Sequence, residues 1–432
     1  MRSTHPLPRA AMKTVAAAIA VTVLAGTLGG CSAGGDPGVT TLNFFQFKGE
    51  AREDFDRIIE KFEAENPDIK VVQNQVADAD TIIRTLLVKD KAPDVITLNG
   101  NGNFGRLAQA GVFYDFSDEP VLDTINPAVQ DILADLGNKD GEVNSLGYVN
   151  NANGIIYNAD IFAEQGIEVP ETWDDLIAAC EKLKDAGIQP IYATLADSWT
   201  AVPSFNGLGA YAVQDGFFDE MRAEGENVGA DSKASFEKDF AVPLEREQQL
   251  YSYAQEGYRG ATYDEGNAAF ARGEAAMLLQ GIWAVNGIKQ VNPDIDAAIF
   301  PYPTDDEADR LIVSGVDVTV TMGRNTPHRE EALRFIEFMF RPDIVEEFAA
   351  SQNMIPSVEG AELSDDLALQ SVKPYFDDGR ITGFLDHQIP PGIPLAEFVQ
   401  ESIFTGDADA ALATLDNEWR KIAARTIPVT ED

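Results

Sequence analysis

Two short apolar runs, Leu146-Gly147-Tyr148-Val149 and Ile155-Ile156-Tyr157, flank a polar, glycine-containing patch, Asn150-Asn151-Ala152-Asn153-Gly154. This stretch limits the possible folds more than any other. Two extended segments joined by Asn and Gly can bend without breaking a core, because those residues tolerate unusual backbone angles. The pattern reads either as a crossover between two lobes or as an ordinary pair of strands inside one domain.

The chain before it alternates strand with helix. An apolar run over 42–47 predicts a strand, and Phe55, Ile58, Ile59 and Phe62 then form one helical stripe. Asn66-Pro67-Asp68 stops that helix, since proline cannot continue it. Residues 69–72 predict a second strand, Ile82, Ile83, Leu86 and Leu87 a second helix, and 93–98 a third strand. Such alternation argues for an α/β lobe with a largely parallel sheet. Ligands of such sheets sit outside the carboxyl ends of the strands. That selects the loops holding Lys48 and Glu50, and Asn99 and Asn101.

The second of these loops, Gly100-Asn101-Gly102-Asn103-Phe104-Gly105, fits G-x-G-x-x-G. A dinucleotide site also needs a helix that reaches a second strand ending in an acid. Here Gly111 cuts the helix within two turns, so the loop reads as amides near a hydroxyl cluster or as a plain turn. Residues 122–136 predict a longer amphipathic helix, and 312–321 a return strand. Thr172 and Asp175 predict a capped helix that Gly187 ends, with Leu176, Cys180 and Leu183 on its buried face. Residues 191–194 predict a strand, and 216–240, acidic and glycine-bearing, a surface excursion. Leu412, Leu415, Trp419 and Ile422 mark the last helix.

Composition removes several function classes. The chain has 432 residues and 32 Lys and Arg against 72 Asp and Glu, a net charge of −40. Nothing basic enough to track phosphates is present, so nucleic acid is not an expected partner. The three His have no metal-ligand spacing, and no nucleophile or phosphate-binding motif appears, so no catalytic residue, metal or cofactor is expected.

At the start, Arg2, Arg9 and Lys13 precede an apolar stretch too short to span a bilayer, and Leu28-Gly29-Gly30-Cys31-Ser32 resembles a bacterial lipoprotein box. The resemblance implies a signal peptide over 1–30, acylation of Cys31, and an extracytoplasmic protein anchored to the bacterial cell membrane. Residues 31–40 then read as a flexible tether.

Further segments carry a family resemblance over nearly the whole mature chain. Tyr157-Asn158-Ala159-Asp160-Ile161-Phe162, with Gly166-Ile167 and Pro170-Glu171-Thr172-Trp173-Asp174-Asp175, resembles the hinge exit of extracellular solute-binding proteins of ABC importers. The similarity is to the carbohydrate-binding branch (family 1), to which maltose-binding protein belongs. Phe270-Ala271-Arg272-Gly273-Glu274-Ala275-Ala276-Met277, Gln280-Gly281-Ile282-Trp283 and Phe300-Pro301-Tyr302-Pro303 resemble further signatures of that family.

The resemblance implies an α/β, two-lobe periplasmic-binding-protein-like fold with hinge crossovers and a central ligand cleft. Crossovers are expected near 150–154, 315–317 and 352–354. The expected N-terminal lobe comprises 41–150 plus 312–351, and the C-terminal lobe 151–311 plus 352–432. The implied function is a monomeric substrate-binding lipoprotein that captures a sugar or oligosaccharide and delivers it to permease subunits, with no reaction of its own. Alternatives are another polar solute (a polyol, glycerophosphodiester or polyamine) or a surface glycoside hydrolase.

Aromatic rings take the flat C–H face of a sugar, and polar groups take its hydroxyl rim. Trp283, in the Gly-x-Trp signature, is the foremost candidate, followed by Trp199, which lies past an expected strand end. Tyr148, Asn150, Asn99, Asn101, Lys48, Glu50 and Asp317 are candidates for the rim. Trp173 and Trp419 occupy helical positions and are expected in the core. The first strand lacks the Trp that many relatives carry, having Phe47-Lys48 at its end.

Overall fold

In the computed structural model, the described residues are 38–423 apart from 77, 78, 90, 215, 307, 309 and 391. The expected signal peptide and Cys31 lie outside them. The strands are β1 (Thr40–Gln46), β2 (Ile69–Gln75), β3 (Val95–Leu98), β4 (Leu146–Asn150), β5 (Asn153–Asn158), β6 (Met277–Gly281), β7 (Ala297–Phe300), β8 (Ile312–Ser314), β9 (Val316–Thr321), β10 (Ile355–Pro356) and β11 (Ile381–Gly383). They build two sheets. The first has the order β10-β4-β9-β3-β1-β2, and the second β11-β8-β5-β6 with β7 also paired to β5.

In the first sheet β1 runs parallel to β2 and β3, joined through helices Arg52–Glu65 and Ala79–Val88. β9 is antiparallel to both β3 and β4, so the sheet is mixed. Alternation along β1 explains the layering. Leu42 and Phe44 face one cluster with Phe55, Phe62 and Phe335, whereas Phe45 faces another with Ile96, Phe104 and Leu133. The second sheet does the same, with Ile155 and Leu279 on one face and Ile156 and Leu278 on the other.

The chain changes sheet between β4 and β5, and again between β8 and β9. Asn151 fastens these two crossings together. Its N–H donates to the Gly315 carbonyl (3.0 Å), its Oδ1 accepts the Gly315 N–H (2.9 Å), and its carbonyl accepts the Ser314 hydroxyl (2.8 Å). The expected single strand over 312–321 is therefore two strands in different sheets, with the change at Gly315. This differs from the lobe boundary expected at 312, because β8 pairs with β11 in the second sheet. β10 pairs with β4, so the last change of sheet falls after Pro356, beyond the boundary expected at 352.

Three other expectations are corrected. The helix expected over 122–136 is a short turn, Pro120–Thr124, followed by helix Pro127–Leu136. Asn126 caps the helix and Pro127 opens it, where a missing N–H costs nothing. Residues 216–240 are no surface excursion. Phe217, Phe218, Met221, Phe236 and Phe240 are buried in the second lobe, where the four Phe rings pack on one another and on Trp419. In place of the strand over 191–194 there are only isolated bridges from Ile191 to Ala254 and to Met277.

The Thr172–Asp175 capping box is formed in both directions, and Trp173 and Trp419 are core residues. Cys180 is a free, buried thiol whose pKa burial pushes up to about 12.

Candidate functional site

The carboxyl ends of β1 and β3 and the start of β9 meet at one edge of the first sheet. Lys48 Nζ lies 2.8 Å from Asp317 Oδ2 and 2.9 Å from Glu50 Oε1. Burial works against the ammonium, but the Asp317 carboxylate, helped by Glu50, outweighs it and holds the Lys48 pKa above its ordinary value. Asn99 Nδ2 donates to the Asp317 carbonyl (3.2 Å). Asn101 Oδ1 accepts from the N–H groups of Asn103 (2.9 Å) and Phe104 (3.2 Å), capping helix Gly102–Gln109.

The glycines of this loop answer to packing. A Cβ on Gly105 would stand 2.0 Å from the Leu136 carbonyl oxygen, and one on Gly100 2.8 Å from that of Val316. The glycines of the G-x-G-x-x-G spacing thus admit three close backbone approaches, from helix Pro127–Leu136, from β9 and from His387.

The second lobe supplies the opposite wall. Trp199 sits in the turn Ser198–Ala201, and helix Val202–Gly209 follows with Pro203 and Asn206. β6 ends at Gly281, and Trp283 lies in the turn after it. The Trp283 indole N–H donates to Gln280 Oε1 (3.0 Å), and its ring lies 6.2 Å from that of Phe384. A Cβ on Gly281 would be 2.2 Å from the indole, so only glycine allows this placement. After β11, Phe384, Asp386 and His387 enter the wall. Asn206 Nδ2 donates to Asp386 Oδ1 (2.8 Å) and Asn206 Oδ1 accepts the Asp386 backbone N–H (3.1 Å), so one amide holds both the carboxylate and the backbone of Asp386.

These walls enclose a cavity of about 620 Å³, lined by Asn99, Asn101, Asn151, Trp199, Asn206, Trp283, Asp317, Phe384, Asp386 and His387 among others. A larger groove of about 1000 Å³ lies elsewhere, along Pro127, Asp131, Glu359, Lys373 and Asp377. No candidate residue lines that groove and it has no indole, so the smaller cavity is the candidate site.

Five of the nine expected residues therefore come together: Asn99, Asn101, Trp199, Trp283 and Asp317. Lys48 stands behind Asp317 as its counter-charge, nearly buried, and Glu50 is the second carboxylate on that ammonium, its side chain 66% exposed. Tyr148 is a correction. It is fully buried between Phe340 and Phe348, with ring centroids 5.3 and 5.1 Å away. Asn150 is another. It is fully buried and donates through Nδ2 to Ser357 Oγ (2.9 Å), tying β4 to the chain beyond β10.

Sequence reasoning missed Asn151, Asn206, Phe384 and Asp386. Asn151 stood inside the recognised crossover patch and could have been found there. The segment holding Phe384 and Asp386 carries no motif. Among the described residues no cluster of His, Cys, Asp and Glu could hold a metal ion, and no helix is long and apolar enough to cross a membrane.

A family model described as bacterial extracellular solute-binding protein matches residues 48–346. The chain is 28% identical over 305 residues to the multiple sugar-binding protein of Streptococcus mutans, covering 69% of this chain and 70% of that protein. It is 24% identical over 347 residues to the sn-glycerol-3-phosphate-binding periplasmic protein UgpB of Shigella flexneri, covering 75% of each. Among solved structures it is similar in fold to the apo-form of RafE from Streptococcus pneumoniae, with a TM-score of 0.80 at 24% identity, covering 90% of this chain and 100% of that one. The family model spans well over half of the sequence and takes in β2 to β9 together with the crossings at Asn151 and Gly315, and the chain belongs to the bacterial extracellular solute-binding proteins.

Proposed function

We propose that the chain is the substrate-binding subunit of an ABC importer and that its cleft captures a sugar or oligosaccharide. One observation carries the reading. Two indoles, Trp199 and Trp283, share one cavity with a rim of Asn and Asp side chains, the division of labour a sugar's flat face and hydroxyl edge require. The similarity to sugar-binding relatives supports it.

The relative that binds sn-glycerol-3-phosphate raises the alternative of a phosphate-bearing solute. Phosphate recognition relies on Arg and Lys. The described residues lining this cavity include Asp317 and Asp386 and no Arg or Lys, and the adjacent Lys48 is committed to Asp317 and Glu50. Charge therefore favours the neutral ligand. A thermal-shift screen with raffinose, melibiose, maltose and sn-glycerol-3-phosphate separates the two, since a ligand bound only by the folded state raises its melting temperature. Stabilisation by a sugar alone is expected; stabilisation by the phosphate alone would overturn the sugar reading.

The protein acts as a monomer with permease subunits as its partners, and it catalyses no reaction; sugar recovered unchanged after prolonged incubation is the expected result. The resemblance at residues 28–32 further supports anchoring through acylated Cys31, since two or more chains hold a protein firmly on a membrane. Cys31→Ala should abolish lipid labelling, and persistence of the label would refute the anchor.

A further inference from the structure

Trp199 is the sole aromatic among the large apolar side chains left exposed in the described residues, at 42%. Its turn is not loosely held. The Asp197 carboxylate accepts the Tyr263 N–H (2.8 Å), the Ala196 N–H donates to the Ala261 carbonyl (3.0 Å), and the Thr200 hydroxyl donates to the carbonyls of Thr194 and Asp197 (2.8 Å each). The fold thus fixes an indole in a position that forgoes much of the burial its surface could gain. Trp199 lines the cavity, so its exposed surface belongs to the cavity's edge.

Against it, with centroids 5.0 Å apart and planes at 57°, stands the ring of Tyr263. Tyr263 is half-buried, hydrogen-bonded to Asn267, packed on the core cluster that holds Ile156 and Phe270, and absent from the cavity lining, so it borders the indole outside the cavity. Successive rings of an oligosaccharide are not coplanar, and two aromatic planes at an angle match that geometry better than one flat platform.

Resting on the sugar-binding reading, we propose that Trp199 and Tyr263 form an outer subsite for a sugar ring beyond those the cavity encloses. The ligand is then an oligosaccharide held deep at its Asp317 and Asp386 end and emerging past Trp199, and Tyr263 sets the preference for chain length.

Calorimetric titration with melibiose, raffinose and stachyose, a series of increasing length, tests this on the intact protein, Tyr263→Ala and Tyr263→Phe. Tyr263→Ala should weaken binding of the longest sugar that wild type binds by about three- to tenfold while leaving the shortest within about twofold, the size of one aromatic contact. Tyr263→Phe, which keeps the ring, should retain the length preference. An equal loss for every length would make Tyr263 a mere support for Trp199 and overturn the outer subsite, as would no loss at all. Melting curves of both variants show whether a loss comes from unfolding. Failure of wild type to bind any of the three would count against the sugar reading itself, and the outer subsite would fall with it.

Discussion

Trp283 is half-buried, lines the cavity, and is held by Gln280 beneath it. Trp283→Ala should therefore weaken sugar binding at least about tenfold, the combined size of an aromatic contact and its lost burial. Its melting temperature should fall less than that of a Trp419→Ala variant, whose indole is a core residue. A Trp283 variant with full affinity would remove the residue from the site. A different residue governs pH dependence. Glu247 is fully buried, facing Ser204, Tyr251 and Tyr302; Ser204 Oγ donates to its Oε1 (2.6 Å), while Oε2 and the Tyr302 hydroxyl find no partner among the described residues. Burial pushes its pKa from 4.5 to about 8. The native state thus keeps a proton that the unfolded chain releases, and between pH 4.5 and about 8 this group's contribution to stability declines as pH rises. Glu247→Gln removes the titration, so the melting temperature of the variant relative to wild type should climb from pH 5 to pH 8; a constant difference would contradict a buried neutral acid. At this scale the sequence pointed to the cavity where a residue follows a strand end, as for Asn99 and Trp283. It misled at Tyr148, because strand alternation put that side chain on the core face, which the flanking glycine and Asn did not reveal.

Among the elements, the crossing at Gly315 does the most with the least. A Cβ there would lie 2.6 Å from the Phe384 ring, so the missing side chain leaves room for a residue that also lines the cavity. Gly315→Ala should push the ring towards the cavity and weaken ligand binding several-fold, with a smaller drop in radius of gyration by small-angle scattering on adding sugar. Combining it with Phe384→Leu should recover part of that loss, because contacting residues are not additive. Additive losses would mean that the ring does not carry the coupling. The periodic helices and the buried strands of the first lobe were legible because each has a strong apolar pattern. The helix pair within 216–240 was not, because acidic residues hide five core side chains set on short elements. Nor was the break at Pro127 visible beneath the apolar spacing of 122–136, although the Asn-Pro pair that causes it stands in the sequence.

For the molecule as a whole, the two-lobe architecture was readable mainly through the family resemblance; pattern alone left a single domain open. What pattern could not supply is the consequence of how the first sheet is assembled. β9 lies between β3 and β4, yet in sequence it is separated from β4 by residues 151–315, which hold β5 to β8 and the helices among them. A chain ending at residue 311 would lack the strand to which β3 and β4 both bond, leaving two facing edges unpaired. Such a fragment should show neither cooperative melting nor protected amides in β3 and β4, and a well-folded first lobe in it would disprove the point. Because distant pairing delays folding, the leading half of the polypeptide must wait for residues 316–321 to arrive. A nascent chain of this design stays unlocked until most of it has been made, which is the condition in which it can still be threaded through a narrow export channel.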